Sequence, residues 1–93
     1  MEDTRSNPLS GTEMAVLGVL ARSTGRVLGR ASIMRLANID HCSSRRCDTA
    51  IVSLRRVLGA NAIMTVRRRG WMLTDEGSDR ARELYAALFD TVA

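Results

Sequence analysis

The 93-residue chain has no lysine; all 14 of its basic residues are arginine. Aromatic side chains make up 3% of it, one each of Phe, Tyr and Trp. A core must therefore come from Leu, Ile, Val, Ala and Met, which suits helices better than a sandwich of short strands. The two cysteines, Cys42 and Cys47, make no disulfide framework, and the default setting is reducing and cytoplasmic. No apolar run approaches membrane-spanning length and no signal peptide opens the chain. The lone histidine, His41, has no partnered nucleophile, and there is neither a phosphate-binding glycine loop nor a pair of carboxylates in an apolar setting. These absences argue against an enzyme. His41, Cys42 and Cys47 fall short of the four ligands of a closed zinc site, so no metal or cofactor is expected.

What is present suits one compact domain. Hydrophobic residues reach 45%, and the length is enough for one core and too short for two. Charge is unevenly placed. Between Arg22 and Gly70 lie eleven Arg against Asp40 and Asp48, a local net of +9, whereas the stretches before and after carry −2 and −3. A basic middle between acidic ends implies a positive face aimed at a polyanion.

Residues 1–8 read as a flexible polar arm. Ser10 and Glu13 form a capping box, and Met14, Leu17, Leu20 and Ala21 follow at helical spacing to about Arg22, with an end near Gly25. Arg26 to Gly29 reads as a brief strand or an extended turn. A second helix spans about Arg30 to Ala37, with Ile33, Leu36 and Ala37 inward, and a loop runs to Ser43. Ser43 or Ser44 can cap a third helix that Gly59 stops after Leu58. Its stripe of Cys47, Ile51, Leu54 and Leu58 faces a core, so Cys47 is expected to pack. Arg45, Thr49, Val52 and Arg56 lie opposite, flanked by Arg46 and Ser53; Val52 could meet a thymine methyl or pack under a neighbouring hairpin. Ile63 to Val66 and Trp71 to Leu73 read as strands around a turn of Arg67, Arg68 and Arg69, with Trp71 and Met72 in packing roles. Thr74 or Asp75 can cap a last helix to about Asp90, striped by Ala81, Leu84, Tyr85, Leu88 and Phe89.

Three helices followed by a basic hairpin predict a mainly α fold with a small β hairpin: a winged helix-turn-helix over 9–74, with an additional C-terminal helix in 75–93. Four stretches also resemble the winged-helix effector domain of OmpR/PhoB-type response regulators. They are Leu9-Ser-Gly-Thr-Glu13 before the first helix, Gly25-Arg-Val-Leu-Gly-Arg30 before the second, Arg45 to Leu58 against the recognition-helix pattern, and Thr65 to Leu73 against the wing pattern. The resemblance implies a bacterial transcriptional regulator that binds double-stranded DNA, without a receiver domain, cytoplasmic and bound to the nucleoid through DNA. It implies DNA contacts from Arg45, Arg46, Thr49 and Ser53 in the recognition helix and from Arg67 and Arg69 in the wing. Arg30 matches a phosphate-contacting neighbourhood, and Arg55 a motif arginine with a partly structural role. Arg56 and Arg68 join the expected contacts through their place on the basic face and turn.

Departures from the family pattern carry information. Leu36 to Ser43 is shorter than the family's loop and lacks its Trp-Gly pair, which leaves contact with RNA polymerase open. Arg68 stands where the wing usually has its first Gly. The chain also continues past the hairpin, through Leu73-Thr-Asp-Glu-Gly77, a junction that looks like those of MarR and PadR types. The stripe of Leu84, Tyr85, Leu88 and Phe89 is either packed on the first helix or the seam of a homodimer, with the dimer preferred. An alternative function is a winged helix that binds another regulator or the polymerase and uses its basic face little.

Overall fold

The computed structural model describes residues 9–86. Its elements, in order, are α1 (Gly11–Arg22), α2 (Arg30–Leu36), α3 (Ser44–Leu58), β1 (Ile63–Val66), β2 (Gly70–Leu73) and α4 (Asp75–Leu84). This is the winged helix-turn-helix: three helices, a two-stranded antiparallel hairpin and one further helix. Among the described residues no helix is long and apolar enough to cross a membrane.

The capping box at α1 forms as its residues require. The Glu13 amide donates to Ser10 Oγ at 3.2 Å, and the Ser10 amide donates to Glu13 Oε1 at 2.9 Å. The helix is buried nearly all round, from Val16 through Leu20, because α2 and α3 both pack against it. The core is completed by Ile33 of α2, the α3 stripe and Leu73 of β2. Cys47 is fully buried within it, and burial raises its thiol pKa, so it packs as a small protonated apolar group.

Three expectations need correction. Leu36 does not face inward and is 54% exposed; Ile33, Met34 and Ala37 share the inner face, and Leu36 falls to one side of it. Ser43 occupies the N-cap position of α3, but its side chain makes no capping hydrogen bond. The last helix ends at Leu84, since Tyr85 leaves the helical region at φ −135° and ψ 57°; the expected continuation to Asp90, with Leu88 and Phe89, lies outside the described residues. The segment before α2 resolves into a single bridge, Leu28 to Trp71, that adds a rung to the hairpin edge.

Glycines decide how the last two elements seat. Gly70 opens β2 at φ +140°, and a Cβ there would collide with the Leu28 carbonyl, so the bridge needs this glycine. Gly77, in the first turn of α4, lies against the Ala62 carbonyl. Thr74 holds the same junction: its hydroxyl donates toward the Asn61 and Ala62 carbonyls at 2.8 and 3.0 Å and accepts from the Gly77 amide at 3.0 Å. Alanine at a helical glycine ordinarily stabilises by about 1 kcal/mol. Gly77→Ala should instead destabilise by about 1–3 kcal/mol, because its methyl has no room. Gly11→Ala, which meets open space, should be neutral or slightly stabilising. Urea unfolding of both variants checks the opposite signs.

Candidate nucleic-acid interface

α3 places its apolar stripe and its polar face at the same time. With Cys47, Ala50, Ile51, Leu54 and Leu58 buried, helical geometry turns Arg45, Thr49, Val52 and Arg56 to the far side, and all four are exposed. Arg46 is exposed beside them and Ser53 is half-buried. Val52 is 53% exposed, so it takes the open position and not the one beneath the hairpin.

The hairpin pairs Ile63 with Leu73, Met64 with Met72, Thr65 with Trp71 and Val66 with Gly70. Ile63 and Leu73 enter the core while the far end projects from it. The tip is Arg67, Arg68 and Arg69, all exposed, closed by the Arg69 amide donating to the Val66 carbonyl at 2.9 Å. Arg68 holds the left-handed conformation, φ 65°, where the family pattern has glycine. Among the described residues, the guanidinium groups of Arg45, Arg46, Arg56 and the three tip arginines have no ion-pair partner. Unneutralised like charges at one turn repel one another unless a polyanion arrives.

Two other arginines are occupied. Arg55 reaches from the last turn of α3 to the hairpin, donating to the Ile63 carbonyl at 3.1 and 2.8 Å and to Thr65 Oγ1 at 2.6 Å. Arg30, expected beside a phosphate, is placed in a two-pronged pair with Asp48, Nε to Oδ1 at 2.8 Å and the terminal nitrogen to Oδ2 at 3.2 Å. That pair raises the Arg30 pKa further above its ordinary value. Its guanidinium carbon also sits 5.4 Å from the centre of the Trp71 ring. Between these groups and the tip lies an open cleft of about 320 Å³, lined by Arg30, Thr65, Val66, Arg68, Arg69 and Trp71 among others.

Sequence reading missed the role of Asp48 and the stacking role of Trp71. Both stand inside recognised stretches, but Arg30 and Asp48 are 18 positions apart and meet only once α2 and α3 pack. The apolar stripe expected on the last helix is divided. Ala81 is buried, Tyr85 packs half-buried on the chain's own core with its phenol pKa raised by that burial, and Leu84 turns outward, 45% exposed.

This geometry agrees with what a comparison with known families finds. The family described as transcriptional regulatory protein, C terminal, matches residues 4–73, through the end of the hairpin. No curated protein matches the chain. The match covers α1, α2, α3 and both strands, around which the exposed arginines are arranged, and ends before α4. The chain thus belongs to the family of C-terminal domains of transcriptional regulatory proteins, of the OmpR/PhoB type, and is a DNA-binding regulatory domain.

Proposed function

We propose that the protein regulates transcription by binding double-stranded DNA sequence-specifically, with α3 in the major groove and the wing on phosphates or the adjacent minor groove. The observation that carries this reading is the division of the arginines. Those on the outer face of α3 and at the wing tip are unpaired and exposed, while those between helix and hairpin are engaged within the fold. An exposed helix face of Arg, Thr, Ser and Val can reach base edges in the major groove, and Arg matches the two acceptors of guanine. Arg45 and Arg46, in the first turn, take the base-edge or phosphate positions; Thr49 and Ser53 extend that row by one turn each. A homodimer through the C-terminal segment belongs to the same proposal: Leu84 turns outward on α4, 45% exposed, while Leu88 and Phe89 lie outside the described residues.

Replacing Arg45 by Ala should weaken binding to a preferred duplex by about 1–3 kcal/mol if it reads a guanine. Fluorescence anisotropy against duplexes selected from a random pool measures it. Unchanged affinity for Arg45→Ala and Arg46→Ala, each made singly, would overturn the assignment of the recognition helix. No binding to any duplex at low salt would favour the protein-interaction alternative.

The wing makes a different demand. Replacing Arg67 and Arg69 together by Ala should weaken binding to all sequences alike, and the slope of log K against log salt should flatten by about one for each lost phosphate contact. A changed sequence preference with an unaltered slope would contradict a phosphate role and point to reading in the minor groove.

A further inference from the structure

α3 meets the hairpin along one flank, and two residues of that flank hold it. Asp48, at the start of the second turn, pairs with Arg30, whose guanidinium lies over Trp71. Arg55, in the last turn, bonds the Ile63 carbonyl and Thr65. The two stand seven residues apart, about two helical turns, and so share a side of the helix. Their partners converge, since Thr65 and Trp71 face each other in the hairpin register. The backbone of Trp71 is held at the same rung, its amide donating to the Leu28 carbonyl at 3.0 Å and its carbonyl accepting from the Leu28 amide at 2.8 Å. Beyond this rung only Val66 to Gly70 project, carrying the three tip arginines.

Resting on the DNA-binding reading above, we infer that Asp48 is a positioning residue for sequence recognition: by holding Arg30 against Trp71, it fixes the angle of the wing relative to α3. Asp48 is otherwise hard to account for. It is one of two acids in the stretch from Arg22 to Gly70, and a carboxylate near a phosphate-facing surface repels the ligand. The pair is about half exposed on both sides, 46% and 47%, so it contributes little to stability. What it supplies is orientation. The guanidinium gives two donors to the carboxylate while its carbon lies over the indole ring, a combination that lysine cannot reproduce. The wing tip is a short lever, and its base is set at one rung by a backbone bridge, a side-chain pair with a ring contact, and the Arg55 bonds.

Asp48→Asn in the full chain tests this, with two readouts. Trp71 is the only tryptophan, so its emission reports the tether without DNA. Acrylamide quenching of Trp71 should rise in the variant as Arg30 leaves the ring. The preference for a duplex selected by the parent protein over a random-sequence duplex should fall by about tenfold, comparable to losing the readout of one base pair. Affinity for the random duplex should not fall, because the variant removes a negative charge and uncovers Arg30. Arg30→Lys keeps the charge but loses the two-pronged pair and the stacking, and should lose preference in the same way. Equal loss on both duplexes would mean a merely structural role and overturn the inference. So would an Arg30→Lys variant with unchanged preference, since Arg30 would then act only as a charge. A parent protein with no preference for any duplex would sink the sequence-specific reading itself, while the quenching readout would still show whether the tether exists.

Discussion

The burial of one stripe of α3 governs the rest of the molecule. α1, α2, β1 and α4 all pack on this helix, and Cys47, Ala50, Ile51, Leu54 and Leu58 supply its buried side. Because successive residues turn by about 100°, a slip of one position would carry that stripe away from its partners and bring arginines into the core. Packing therefore fixes which side chains remain outside. The outer face of Arg45, Thr49, Val52 and Arg56 follows from the same constraint that closes the core, and so does the flank from which Asp48 and Arg55 meet their partners.

Arginine serves this chain in two ways. Arg55 satisfies a backbone carbonyl at the hairpin edge, and Arg30 joins a carboxylate to an aromatic face. Both uses need a flat cation with several donors fixed in one plane. The arginines on the outer face of α3 and at the tip do nothing of the kind within the fold. Within α3 and the hairpin, sorting arginines by their internal partners thus separates Arg55, which joins the two elements, from the exposed arginines of the outer face and the tip.

Much of this was legible before folding. The Ser10–Glu13 cap, the stripe ending at Gly59 and the two runs around three arginines each follow a local rule of spacing or capping, and each forms within a residue or two of where it was expected. The misreadings share a different cause. Leu36 has the chemistry of a core residue, but the inner side of this two-turn helix is taken by Ile33 and Met34. The pairing of Arg30 with Asp48 and the reach of Arg55 to Ile63 depend on where separate elements come to rest. The end of α4 at Leu84 coincides with Tyr85, which leaves the helical region and packs on the core, a tertiary contact that local spacing does not reveal.

Arg68 places folding and binding in opposition at one residue. Its left-handed backbone costs a side-chain-bearing residue about 1–2 kcal/mol that glycine would not incur. The same side chain adds one exposed cation to the tip. Mutational drift that selects only for a stable fold would move this position toward glycine or asparagine, whereas selection for hold on a polyanion would keep arginine. Position 68 is therefore a point of trade-off, where the residue found in any descendant records which of the two pressures was stronger.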